Sequence, residues 1–144
     1  MNAIELLEQD HRRMEKILAE LEGTTERAVK TRQALFATLR DELQLHEQVE
    51  EEILYPALRE RSETKDIVLE GIEEHHVVDL ILGELAGVDV ADEVWTAKFA
   101  VMKESLEHHI EEEEGEMFPK AQSLLSTEAL EALGVRIEER KQAR

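Results

Sequence analysis

Two stretches of this 144-residue chain repeat each other. His46-x3-Glu50-x5-Pro56 recurs 63 residues later as His109-x3-Glu113-x5-Pro119, and around these points Glu51 matches Glu114, Leu54 matches Met117 and Tyr55 matches Phe118. The two prolines of the molecule fall at the same place in both copies. A second correspondence, offset by 64, aligns Asp10-His11-x2-Met14 and Glu20-Leu21 with Glu74-His75-x2-Val78 and Glu84-Leu85. A chain duplicated in this way is expected to fold as two similar helical pairs packed about a pseudo-twofold axis.

Hydrophobic residues make up 42% of the chain and aromatics only 3%, so the core must be mostly Leu, Ile, Val and Ala. Two prolines and six glycines leave long stretches unbroken, which favours helices. Apolar residues at Ile4, Leu7, Met14, Ile17, Leu18 and Leu21 keep helical spacing up to Gly23. Thr24 and Thr25 offer a cap for a second helix, striped by Leu35, Leu39, Leu43, Ile53 and Leu54. Pro56 should kink that helix or begin its exit. A third helix runs through Ile67, Ile72, Val78, Leu82 and Leu85 to Gly87, and a fourth from near Ala91 through Phe99, Met102, Leu106 and Ile110 towards Pro119. Ser126 and Thr127 cap a last short helix with Arg and Lys at its end. The expectation is an all-α protein, an up-down-up-down four-helix bundle over about residues 3–122 with a C-terminal helix at about 127–143, forming a single domain across 1–144.

A His and a Glu four residues apart lie on one helical face, about one turn from each other. Glu fills 29 of the 144 positions, so one motif of this kind arises by chance about one time in five. Phase separates the candidates. His109 shares a face with Met102, Leu106 and Glu113, whereas His108 lines up with Ser105, Glu112 and Gly115; His75 shares a stripe with Val68, Ile72, Val78 and Leu82, whereas His76 meets Glu73, Asp79 and Gly83. His76 and His108 are therefore read as facing outward, and Glu111, Glu112 and Glu114 as solvated. The pseudo-symmetry then aims His11, His46, Glu50, His75, His109 and Glu113 at one point in the core. Left without partners there, four imidazoles and two carboxylates would cost several kcal/mol, in the range of about 2–7 kcal/mol for each polar group. A metal site removes that cost. The ferritin-like pattern Glu-x2-His also occurs, as Glu8-x2-His11 and Glu73-x2-His76, but it needs the outward His76 and leaves His46 and His109 unexplained.

A net charge of −18 should repel phosphate backbones and anionic membranes, so no nucleic acid or membrane partner is expected. With no cysteine, any metal must be held by imidazole and carboxylate. The N-terminus lacks a basic-then-apolar signal pattern, and no apolar run approaches the roughly 20 residues of a membrane span. The expected location is the cytoplasm.

Four imidazoles and two carboxylates suit iron, and zinc or manganese could also be held. The ordered set His11, His46-x3-Glu50, His75, His109-x3-Glu113, with the phrases His46-Glu47-Gln48-Val49-Glu50-Glu51-Glu52-Ile53-Leu54-Tyr55-Pro56 and Glu74-His75, resembles the hemerythrin-like (HHE cation-binding) domain family over nearly the whole chain. The resemblance implies a four-helix bundle around two irons in an oxo- or hydroxo-bridged, carboxylate-bridged centre. Oxygen-carrying hemerythrins have five histidines, including a His-x3-His pair on the third helix; here the first member of that pair falls on Gly71. The last carboxylate is Glu113, where the carriers use an Asp one residue further on. The pattern is similar to the bacterial four-histidine subgroup, and this implies handling of peroxide, oxygen or nitric oxide rather than oxygen transport.

Tyr55, the single tyrosine, lies five residues after Glu50 and points away from His46 on an ideal helix. A distortion at Pro56 would instead swing its phenol towards the iron left short by Gly71, as a ligand or electron donor. Glu47, beside His46, could also reach the metal. The leading expectation is a diiron protein that disproportionates hydrogen peroxide. The alternative is a module that binds or senses oxygen, nitric oxide or iron without turnover. A third reading is a metal-free or zinc-stabilised interaction bundle.

Overall fold

The computed structural model describes residues 1–143; Arg144, the last residue of the expected domain, lies outside them. The order is α1 (Ala3–Glu22), α2 (Val29–Val49), a π-helical turn (Glu50–Leu54), α3 (Tyr55–Arg59), α4 (Lys65–Ala86), α5 (Glu93–Glu112), a second π-helical turn (Glu113–Met117), α6 (Phe118–Leu124) and α7 (Thr127–Gln142). Among the described residues there is no β-strand. α1, α2, α4 and α5 are the four bundle arms, and α3 and α6 continue α2 and α5 beyond the π turns. The fold is the all-α, up-down four-helix bundle expected, with a C-terminal helix laid against α1 and α2.

Local chemistry sets the helix limits. Asn2 and Glu5 form a reciprocal capping box at the start of α1, Asp92 caps α5 and Ser126 caps α7. The expected Thr24/Thr25 cap of the second helix is not formed, because Ala28 holds the cap position with no side-chain bond. Thr24 is drawn elsewhere: its hydroxyl donates to the Leu21 carbonyl and accepts from Arg32 Nε at 2.9 Å. Buried Arg32 also donates to the Val90 carbonyl at 2.7 Å and lies 4.9 Å from the Trp95 ring centroid, tying together the two connections at that end of the bundle.

The π turns decide where the site lies. In an α-helix the Pro56 ring would clash with the carbonyl four residues back. The wider turn relieves this, since the Tyr55 N–H donates to the Glu50 carbonyl five residues back, and the Phe118 N–H to that of Glu113. Helix resumes at once beyond each turn, with proline in its first turn, where the missing N–H is not needed, and after Pro56 it runs only to Arg59.

The apolar core is split in two. One half gathers Leu7, Val49, Leu54, Leu58, Val68 and Phe118 with Leu133 and Ile137 of α7; the other gathers Leu18, Leu39, Leu43, Leu82, Trp95 and Leu106. Between them lies a polar slab of His11, His46, Glu47, Glu50, His75, His109 and Glu113, all buried.

α7 approaches the first turn of α1 at Gly134, where a Cβ would lie 2.6 Å from the Met1 carbonyl oxygen. Gly134→Ala should therefore force the two apart and destabilise the protein by about 1–3 kcal/mol. Gly83→Ala, with nothing within 4 Å of the added carbon, should stabilise it by about 0.5–1 kcal/mol. Chemical denaturation of both variants checks this; equal effects would contradict the close packing of α7.

Candidate metal centre

The four inner histidines form two pairs of rings. His11 and His46 have centroids 5.0 Å apart, and His75 and His109 have centroids 4.8 Å apart. The two carboxylates lie between the pairs. Glu50 Oε1 is 3.3 Å from His46 Nε2 and 3.0 Å from His75 Nε2; Glu113 Oε1 is 3.0 Å from His11 Nε2 and 3.4 Å from His109 Nε2. Each carboxylate thus spans both pairs. Two clusters result, His11, His46, Glu50, Glu113 and Glu50, His75, His109, each with its donor atoms within 4.8 Å of one another. They have the donor types and arrangement of a two-metal centre.

Every ring is turned by its other nitrogen. His11 Nδ1 meets Glu114 Oε2 at 2.6 Å, His46 Nδ1 meets Asp10 Oδ2 at 2.8 Å, His75 Nδ1 meets Glu51 Oε2 at 2.7 Å and His109 Nδ1 meets Glu74 Oε1 at 2.6 Å. A carboxylate on Nδ1 fixes the tautomer and leaves Nε2 as the inward donor, the usual arrangement around a metal-bound imidazole. The outer carboxylates follow the duplication, Asp10 with Glu74 and Glu51 with Glu114. Several inner atoms remain unsatisfied. His46 Nε2 and His109 Nε2 pass close to a carboxylate but out of line for a hydrogen bond, and Glu50 Oε2 and Glu47 Oε2 have no partner. Orphaned donor atoms in a buried polar slab are what a metal pair would satisfy.

The charges point the same way. Burial opposes a charge on His46, yet Glu50 and Asp10 outweigh it and hold the imidazole up at about 10. Against burial, Glu50 is held well below the usual carboxylate range by His46 and its other hydrogen-bonded neighbours. Without metal the His46 proton stabilises the fold: that contribution is complete below the unfolded value near 6.5 and is lost as pH rises through about 10. A metal must displace the proton, so its uptake strengthens with rising pH.

Tyr55 does not point away. Because the π turn stacks it over Glu50, its buried ring lies against His75 at 5.5 Å, as Phe118 lies against His11 at 5.7 Å. The Tyr55 hydroxyl donates to Glu113 Oε2 at 2.5 Å and comes within 3.3 Å of Glu50 Oε1. Gly71 makes the room, since a Cβ there would sit 3.0 Å from that hydroxyl. Burial and the charges of Glu113 and Glu50 push the phenol well above its ordinary value, so it keeps its proton.

Glu47 is buried too, and burial together with Asp79 holds its carboxyl up at about 10. It lines both a surface groove of about 590 Å³ and a tight inner pocket formed by the four histidines with Met14, Leu43, Val78, Leu106 and Ile110. His76, His108 and Glu111 are exposed, in agreement with their phase, and exposed Glu73 and His76 lie away from the centre, so the ferritin-like pattern is not assembled. Glu114 corrects the sequence reading. It is not a solvated residue but the partner of His11, itself held by Arg12. The signal for it was an acidic residue kept at the same place in both halves.

Glu114→Gln should lower metal affinity by about 10–100-fold, because His11 loses the group that orients it. Glu111→Gln, at an exposed neighbouring position, should leave affinity unchanged. Metal titration with a competing chelator measures both, and equal affinities would show that the outer carboxylates do not set the ring positions.

The family model described as "Hemerythrin HHE cation binding domain" matches residues 2–121. No curated protein sequence matches the chain. The structure superposes with a TM-score of 0.85 on the crystal structure of a hemerythrin HHE cation binding domain-containing protein from Mycobacterium kansasii, at 26% identity, covering 99% of this chain and 89% of that one. The buried His/Glu clusters are those typical of the bacterial four-histidine subgroup. By sequence and by fold, this chain belongs to the hemerythrin HHE cation-binding domain family.

Proposed function

We propose that this chain acts as a single hemerythrin-like domain whose buried iron pair binds a small oxidant, oxygen or nitric oxide. The observation that carries this reading is the set of four histidines, each turned Nε2-inward by a carboxylate, around two carboxylates that span both ring pairs. His11 and His46 would hold one iron and His75 and His109 the other, with Glu50 and Glu113 between them. When bound, such a pair supplies electron exchange with the oxidant, a role that no side chain in this cysteine-free chain fills as readily.

The residues around it decide what reaches the pair. Met14, Leu43, Val78, Leu106 and Ile110 close the inner pocket over the histidines with aliphatic surface packed too tightly to admit water. Glu47 separates this pocket from the surface groove and carries a proton at the boundary. The Tyr55 hydroxyl holds a second proton at Glu113 Oε2. Among the described residues no helix is long and apolar enough to cross a membrane.

One observation favours a second reading, peroxide turnover. Protons placed at Tyr55 and Glu47, on two sides of the centre, suit a reaction that must protonate departing oxygen. Anaerobic titration of the reduced, iron-loaded protein with nitric oxide and with oxygen, followed by absorption, separates the two readings from oxygen release on adding hydrogen peroxide. Saturable gas binding without oxygen release is the expected result. Rapid oxygen release that falls about a hundredfold or more in Tyr55→Phe would move the assignment to turnover. Absence of both would overturn the diiron reading.

A further inference from the structure

The duplicated halves differ at one place where the difference leaves a charge uncompensated. In the N-terminal half Asp10 uses one carboxylate oxygen for His46 and the other for Lys141 and Arg13. The equivalent of Asp10 is Glu74, which gives Oε1 to His109 at 2.6 Å. Among the described residues no Lys or Arg pairs with Glu74 Oε2, which instead faces His108 Nε2 at 3.9 Å. His108 Nε2 is also 2.9 Å from Glu112 Oε1.

The counterparts of His108 and Glu112 in the other half are Leu45 and Val49, both buried under α7 with Leu133 and Ile137. That helix brings Lys141 to Asp10, and among the described residues no equivalent helix covers α4 and α5. Where one half has apolar cover and a cationic side chain, the other has an exposed imidazole, a second carboxylate and no cation. The donor atoms of Glu74, His108 and Glu112 all lie within 4.8 Å of one another.

We propose that Glu74, His108 and Glu112 form a surface site for a divalent first-row transition-metal ion, separate from the buried centre. One imidazole and two carboxylates from neighbouring helices suit zinc, manganese or ferrous iron, with water completing the coordination of an exposed ion. The site is one carboxylate away from His109, because Glu74 serves both.

Zn²⁺ is the probe, added to the iron-loaded protein and measured by equilibrium dialysis at physiological salt. One equivalent beyond the buried centre should bind, and His108→Ala should weaken it by about tenfold or more. Glu112→Gln, which keeps the shape and removes the charge, should weaken it similarly. His76→Ala removes an exposed histidine from the same acidic surface, 3.7 Å from Glu73, and should change nothing. His46→Ala, which disables the buried centre, should leave this equivalent in place, so the outcome does not depend on the proposed diiron function. No additional ion, or equal weakening by His108→Ala and His76→Ala, would overturn the proposal and reduce the trio to an ordinary surface ion pair.

Discussion

Four imidazole rings in the middle of an aliphatic bundle are tolerable only if each nitrogen has somewhere to point. The carboxylates on Nδ1 meet half of that demand and set the direction of the other half. Glu51, Glu74 and Glu114 lie partly exposed at the edge of the bundle, where charge is cheaply solvated, and buried Asp10 is compensated by Lys141 and Arg13; all four reach rings that water does not. The remaining Nε2 atoms and the two spanning carboxylates concentrate negative charge and lone pairs at one point. The apolar cores on either side keep that point dry. Removing one outer carboxylate therefore affects ring orientation, charge and packing together.

The two halves are close copies, and their departures from symmetry carry the chemistry. Phe118 packs with Leu7 in one core, whereas its counterpart Tyr55 faces Gly71, so a single hydroxyl enters the centre from one side only. Gly71 is thus less a missing ligand than the space that the phenol occupies. A histidine at that position would have to displace Tyr55 first. The second departure is α7, which covers the first half with Leu133 and Ile137 and neutralises Asp10 with Lys141, leaving the equivalent face of α4 and α5 open.

Much of this was legible in the sequence. Helical phase separated His75 and His109, both buried, from their exposed neighbours His76 and His108, and the internal repeat identified which helices face each other. Phase failed at the π turns, because one residue per turn was inserted where an ideal helix was assumed. An ideal helix points Tyr55 away from His46, and the distortion marked by Pro56 is what turns its phenol inward. Glu114 was lost for a different reason. In a run of four glutamates composition says only that most are solvated, and the partner that singles out Glu114 is His11, 103 residues away. The Thr24 cap failed because buried Arg32, eight residues on, competes for the same hydroxyl.

X-ray absorption at the iron edge of the loaded protein tests the central claim most directly. Two ring pairs spanned by two carboxylates predict about two irons per chain, each in a shell of nitrogen and oxygen donors, with an iron–iron vector of about 3–4 Å. Iron bound singly, with no metal–metal scattering and no imidazole signature, would contradict the account.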